Sequence, residues 1–316
     1  MLFRVMAYNL YFGGANRVDD IHAVIAHAKP DTVTLTEADD RRVVAELAAR
    51  LGMEHLWAQG SGDRHLAFLS RFPIAAWRIF NRPPLTQAVL ETRLSLSNLQ
   101  SLISNPHAKN SSSTSSFTLT LYSLHLLPYL LLPFELHRAR ALRALLQIIQ
   151  RDRPGPHLLL GDLNAVAPGD RVLQHRNPSR MRRAMLLQAN LIFRLAVPVL
   201  LRAGYVDCYR ALHPRRPPLL PFAHAPRERS AAKSKEANGR APSTSLQGGS
   251  ARDGGEGKNT DGFTWWTTNP TTRYDYIFAD PWFAARLRAC RVADDLPQAQ
   301  TASDHFPLIA DFEIEP

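Results

Sequence analysis

Residues Leu158–Asn164 read LLLGDLN. Three consecutive leucines place a strand deep in a core, and Gly161 then allows a sharp turn. Asp162 and Asn164 leave that strand on one side, because residues i and i+2 share a face. An aspartate that orients and deprotonates water, beside an asparagine that holds a phosphoryl oxygen, suits phosphoester hydrolysis. Asp and Asn also favour turns, so on its own the stretch leaves a simple strand-to-turn cap open.

Around this stretch, strand-like and helix-like segments alternate. FRVMAYNLY is a strand over residues 3–11, and Val18–His27 follows as a helix with Val18, Ile21, Val24 and Ile25 on one face. Asp31–Thr36 is β-branched and strand-like, and Arg41–Leu51 is helical by Val44, Leu47, Ala48 and Leu51. Leu66–Ser70 is a short buried strand, and Phe117–Leu124 is another. Glu135–Arg151 reads as a helix with Leu142, Leu145, Leu146 and Ile149 inward and Arg138 and Arg140 available to water. Tyr274–Ala279 and Leu308–Phe312 are late strands. This alternation predicts an α/β or α+β layered fold. Met185–Leu201 is the most apolar stretch; Arg194 and Pro198 interrupt it, so it reads as a buried or partly buried helix, with a monotopic membrane contact left open.

Polar residues gather at the strand ends, where α/β enzymes build sites. Asp304 and His305, in ASDHFP, offer a metal ligand and an imidazole suited to proton work near neutrality. Glu37 ends TVTLT and offers a carboxylate to a hard cation, or to the dipole of the helix that follows. His125 ends TLTLYSL, where a lone histidine is as well explained by a structural hydrogen bond. Arg71, in LSRFP, is a candidate phosphate contact or a solvated turn residue. Trp265 and Trp266 suit stacking on a base or sugar, or a place in the core. Gly204 and Asp207 are expected to end a helix and cap a strand.

The chain has 316 residues, 45% of them apolar and 21% charged, which fits a soluble globular protein. Residues 95–116 and 213–260 lack the apolar surface needed to offset ordering. Strand-like segments flank both, so they read as disordered insertions in one domain spanning residues 1–316. The net charge of +10 invites a nucleic-acid reading, but residues 213–260 alone hold nine basic and four acidic residues, half of the excess. Cys208 and Cys290 form neither a disulfide framework nor a zinc cluster. Their scarcity, and an N-terminus that reads as a strand and not a signal peptide, point to the cytoplasm.

In order, the chain gives AYNLY, TLTEAD, LSRFP, YSLH, LLLGDLNA, AGYVD, FTWW, RYDYIFA and ASDHFPLIADF. This series resembles the endonuclease/exonuclease/phosphatase superfamily, of DNase I-like fold, from residue 3 to 312 outside the two insertions. GDLN, (R)YDYIF and SDH are its specific elements. The resemblance implies a four-layer sandwich, with two mixed β-sheets face to face and helices outside. It implies metal-site roles for Asn9 and Glu37, with Asn9 also facing substrate. His125 would contact the scissile phosphate and protonate the leaving oxygen. Asp162 would align the attacking water, with Asn164 as its phosphate-binding neighbour. Asp275 would orient His305, a general base or phosphate ligand, and Asp304 would be a second acid near the metal. The implied cofactor is Mg²⁺, with Mn²⁺ as a substitute; magnesium prefers oxygen ligands and keeps several waters.

Two departures from the family pattern stand out. No glutamate precedes the LAFLS strand to pair with the first histidine; in GSGDRH the nearest acid is Asp63. Tyr11 stands where many members carry a further Asp, which weakens any two-metal scheme. The expected activity is therefore metal-dependent phosphodiester hydrolysis, with nucleic acid slightly favoured as substrate and no obligate protein partner. One alternative is a phospholipid or small-molecule phosphodiesterase at a membrane surface, with Leu126–Phe134 (LLPYLLLPF) as a wedge. Another is an inactive binding module.

Overall fold

The computed structural model describes residues 1–60, 64–96, 117–215, 259 and 261–314. Most of both expected insertions, and Asp63, lie outside these residues. Those described belong, apart from Arg215, to a unit spanning Met1–Pro214 and Asn259–Pro316. Its strands are β1 (Leu2–Asn9), β2 (Thr32–Thr36), β3 (Glu54–Ala58), β4 (Leu66–Ser70), β5 (Ile74–Phe80) and β6 (Val89–Ser95). They continue with β7 (Thr118–His125), β8 (His157–Asp162), β9 (Val206–Asp207), β10 (Asp275–Ala279), β11 (Leu287–Val292) and β12 (Leu308–Glu313). The α-helices are α1 (Val18–Ala28), α2 (Arg41–Leu51), α3 (Leu132–Asp152), α4 (Ser179–Leu186), α5 (Val197–Arg202), α6 (Cys208–Leu212), α7 (Pro281–Ala284) and α8 (Gln298–Ala302).

The strands form two six-stranded sheets, in the orders β11-β12-β1-β2-β4-β3 and β5-β6-β7-β8-β10-β9. Each is mixed: β1 and β2 run parallel, as do β7 and β8, and the other pairs are antiparallel. The sheets meet across a buried core, where Thr34 Oγ1 and Ser123 Oγ lie 2.8 Å apart. Strand alternation then fixes which side chains face inward. Leu158, Leu160 and Ile277 join Phe3, Val5 and Ala7 in the central core, while Leu159, Tyr276 and Phe278 face outward into a second core with α3. The expected fold class is observed.

Four readings need correction. Arg138 is fully buried rather than available to water. Its guanidinium donates to the carbonyls of Leu127 (2.6 Å) and Tyr129 (2.8 Å) and to Glu135 Oε2 (2.7 Å), because the preceding loop folds back over α3. Met185–Leu201 is not one helix: α4 stops at Leu186, Asn190 takes a positive φ of 57°, and α5 starts at Val197 with proline in its first turn. Proline is tolerated there, and not in a helix interior. Asp207 ends β9 and caps α6, accepting from Arg210 N, and Phe263–Thr268, one of the strand-like segments flanking residues 213–260, makes only isolated bridges at Trp265. The strands not read from sequence, β3, β5 and β11, are half-exposed, and charged residues interrupt β5 and β11.

Candidate active site

The central strands of the second sheet bring three polar side chains into one row. In the β7–β8 ladder His125 pairs with Asp162, and in the β8–β10 ladder Asp275 pairs with the same Asp162. Alternation turns all three toward the opposite sheet, where β1 ends at Asn9. The turn is possible because Gly161, at φ +136°, passes close to β7; a Cβ there would lie 2.0 Å from the Leu124 carbonyl oxygen. Asn9 Nδ2 donates to Asp162 Oδ2 at 3.0 Å and to Glu37 Oε1 at 3.4 Å, so one amide joins carboxylates from both sheets. Asp162 Oδ1 accepts from Asn164 N at 2.8 Å.

The segment before β12 closes the cluster. Ser303 Oγ donates to the Asn9 carbonyl at 2.6 Å and accepts from His305 N at 3.2 Å. His305 Nδ1 then lies 2.7 Å from Asp275 Oδ2, and its Nε2 lies 3.8 Å from Asp162 Oδ2. A histidine held this way presents one ring nitrogen to the reaction and the other to its carboxylate. Thr264 Oγ1 accepts from the backbone N–H of Tyr274 and of Asp275, which fixes the start of β10. Trp265 Nε1 donates to Asp304 Oδ2 at 3.2 Å.

The charge states follow from burial and from these partners. Burial opposes a charge on His305, but Asp275, Asp304 and Asp162 outweigh it and push its pKa up to about 10. Burial pushes Asp162 up to about 7, with Asp275 adding to the effect and His305 opposing it. A base near neutrality suits proton transfer from water. His125 is driven down to about 4 by burial, so it is a neutral imidazole at pH 7. Burial alone would raise Glu37; His125, Arg64 and the Phe12 N–H reverse that and hold it below the usual range. Asp304 is raised, chiefly by burial.

A pocket of about 360 Å³ opens over this cluster. Of the residues expected from sequence, Glu37, Asp162, Asn164, Asp304 and His305 line it. Asn9, His125 and Asp275 lie behind them, nearly or fully buried. Neither ring nitrogen of His125 has a hydrogen-bond partner among the described residues. Its Nε2 is 3.9 Å from both Glu37 Oε1 and Asp162 Oδ2.

Arg71 does not belong to the site. β4 runs antiparallel to β2, pairing Ser70 with Thr32, so Arg71 sits at the far end of the sheet from Glu37 and donates to the Pro30 carbonyl. The opposite end of the same segment supplies Arg64, which ion-pairs with Glu37 and lines the pocket. Arg64, Ser303 and Trp265 are the neighbours that sequence reasoning missed or left undecided.

The donor set fits a hard divalent cation in its chemistry. Glu37, Asp162 and Asp304 offer carboxylate oxygens to one pocket, and Asp304 Oδ1 is buried without a hydrogen-bond partner among the described residues. Asp162, Asp275 and His305 also lie within 4.8 Å of one another through their ligating atoms. Within that trio only Asp275 and His305 are hydrogen-bonded, with His305 Nε2 standing 3.8 Å from Asp162. Asn9 Oδ1 accepts from Tyr11 N at 2.8 Å while its amide N–H groups face the Glu37 and Asp162 carboxylates.

Strand ends from both sheets, a buried cluster of acids and histidines and an oxygen-rich pocket define a phosphoester hydrolase of DNase I-like architecture. The Endonuclease/Exonuclease/phosphatase family model matches residues 6–305, and the chain belongs to that family. Its enzymes hydrolyse phosphoester bonds and typically depend on a divalent metal. Similar solved structures include an AP endonuclease from Archaeoglobus fulgidus, 14% identical over 99% of this chain and 100% of that one, with a TM-score of 0.62. A 3′–5′ exonuclease from Neisseria meningitidis is 17% identical over 99% and 100%, with a TM-score of 0.60. The human Nocturnin catalytic domain is 16% identical over 99% and 95%, with a TM-score of 0.52. No curated protein matches the chain by sequence.

Proposed function

We propose that this protein is a divalent-cation-dependent phosphodiester hydrolase in which Asp162 aligns and deprotonates the attacking water. The observation that carries this reading is the position of Asp162, between His305 at 3.8 Å and the Asn9 amide at 3.0 Å on the pocket floor. A bound Mg²⁺ or Mn²⁺, held by Glu37 and Asp304, would neutralise the phosphate and stabilise the leaving oxygen. The protonated His305 adds positive charge toward the phosphoryl oxygens, and Asn164 holds one of them. Neutral His125 lies beneath with both ring nitrogens unpartnered among the described residues and Nε2 3.9 Å from Glu37 and Asp162, which supports its role as a hydrogen-bond donor to an ester oxygen. Convergence of the whole set supports an enzyme over an inactive module.

For the substrate, the names of the AP endonuclease and exonuclease neighbours support nucleic acid. The pocket's own walls support a different diester, one with an apolar ester arm: Leu130, Leu131, Met181, Met185 and Trp265 line it. That second reading is the better supported by geometry. Free, buried Cys208 and Cys290 support a reducing compartment such as the cytoplasm. The test is hydrolysis of bis(p-nitrophenyl) phosphate, beside plasmid nicking, with Mg²⁺, with EDTA and with Asp162→Ala. Turnover that needs both Mg²⁺ and Asp162 is expected; a folded, metal-supplied protein that cleaves no diester overturns the proposal.

A further inference from the structure

Leu126–Phe134, the expected membrane wedge, is strapped to the protein: Arg138 binds three of its carbonyls, and Leu126 and Leu130 are buried. The exposed apolar surface lies in the next wall of the pocket. α4 lines the pocket with Met181, Ala184 and Met185, then ends in a turn whose leucines face solvent. Leu186 is 63% exposed, Leu187 84% and Leu191 58%. The turn is well built: Gln188 Nε2 donates to the carbonyls of Leu130 (2.9 Å) and Leu191 (2.7 Å), and its Oε1 accepts from Leu132 N. Tyr129, 63% exposed, stands on the adjoining rim. Clustered exposed aliphatic side chains on a monomer mark an interaction surface.

The same segment is strongly cationic. Between Asp170 and Asp207 the sequence holds seven arginines and no acidic residue. Arg180, Arg182 and Arg183 of α4 are exposed and form no ion pair among the described residues. Leucines that enter the acyl boundary, flanked by arginines that reach lipid phosphates, are the pattern of an interfacial helix. A nucleic-acid face would instead interleave its cations with aromatic or hydrogen-bonding side chains. We propose that α4 and the 186–191 turn dock this protein on an anionic membrane surface, with the pocket mouth against the headgroups, so that its substrate is a lipid phosphodiester. The substrate half of this inference rests on the diester reading of the site; the docking half does not. In the reaction, the oxygen of water bonds to phosphorus, one P–O ester bond breaks, and the proton taken from water goes to the departing alcohol.

The test is co-sedimentation of the full chain with vesicles of phosphatidylcholine, alone and doped with phosphatidylglycerol. The wild type is expected to bind the anionic vesicles. The Leu187→Glu/Leu191→Glu variant should lose roughly tenfold in partitioning, since each buried leucine contributes and each glutamate repels. Its thermal melt and its hydrolysis of bis(p-nitrophenyl) phosphate should match wild type, because neither leucine touches the site. Arg182→Glu/Arg183→Glu should weaken binding comparably. Anionic-vesicle binding that ignores the leucines overturns the proposal. So does an absence of vesicle binding, and in that case duplex DNA binding lost only in the arginine variant would assign the surface to nucleic acid. Loss of diester hydrolysis in every form, with vesicle binding intact, would instead remove the proposed function and leave the docking surface standing.

Discussion

His305 is held by Asp275 through a 2.7 Å contact between Nδ1 and Oδ2, while Asp275 lies opposite Asp162 on the neighbouring strand. One carboxylate thus orients the imidazole, and the next faces its free nitrogen. Burial opposes the imidazolium, but Asp275, Asp304 and Asp162 together outweigh it, so His305 keeps its proton far above its ordinary range.

That arrangement predicts a specific pH dependence. The metal-free wild type should show His305 protonated until about pH 10 by NMR, against an ordinary value of 6.5. A raised histidine pKa stabilises the folded state fully below the unfolded value, and the contribution is lost as pH rises through the folded value. Asp275→Asn should therefore be less stable than wild type at pH 7 in urea denaturation, with the gap narrowing above pH 10. An equal gap at both pH values would contradict the assigned charge.

Gly161 should tolerate no side chain. In Gly161→Ala the Cβ meets the Leu124 carbonyl at 2.0 Å, so β7 and β8 must separate just where His125 and Asp162 pair. The expected loss is roughly 2–4 kcal/mol in chemical denaturation, with activity falling more than stability explains.

Glu135 and Arg138 tie a pocket wall to α3. Glu135 Oε1 accepts from Leu195 N (2.6 Å) and Ala196 N (2.8 Å), while its Oε2 binds Arg138, which holds the 127–129 carbonyls. Removing one partner leaves a buried charge, so Glu135→Ala should cost roughly 3–5 kcal/mol. Glu135→Gln should cost less, and should raise KM more than it lowers kcat. An unchanged melt for Glu135→Ala would show that the strap is not needed.

Arg64 competes with a cation for Glu37. Arg64→Ala frees a carboxylate oxygen, and a lost competitor worth roughly 1 kcal/mol should tighten Mn²⁺ binding by about fivefold in calorimetry. Weaker binding in the variant would mean that Arg64 supports the metal site rather than opposing it.

Much of this site is legible in the sequence because its residues sit at strand ends. Asp162 follows three leucines, Asp275 opens YIFA, and His305 precedes LIADF, so period-two strands deliver them to one place. Strand direction is not written there. Arg71 and Arg64 flank the same strand, and only its antiparallel pairing with β2 shows that Arg64 is the one near Glu37. Arg138 eluded the helical pattern because its partners are carbonyls of a loop that folds back on α3. The stretch from Met185 to Leu201 read as one helix on composition alone, yet its break at residues 187–196 is what exposes the leucines beside the pocket.

The most direct test of the central claim is hydrolysis of bis(p-nitrophenyl) phosphate in ¹⁸O-water with Mg²⁺, followed by mass spectrometry of the products, for wild type and Asp162→Asn. The account predicts one nitrophenolate released per turnover, the label in the phosphomonoester and not in the phenol, and a rate lower by about a hundredfold or more in the variant. Label in the phenol, or a variant as fast as wild type, would contradict attack of water on phosphorus under the control of Asp162.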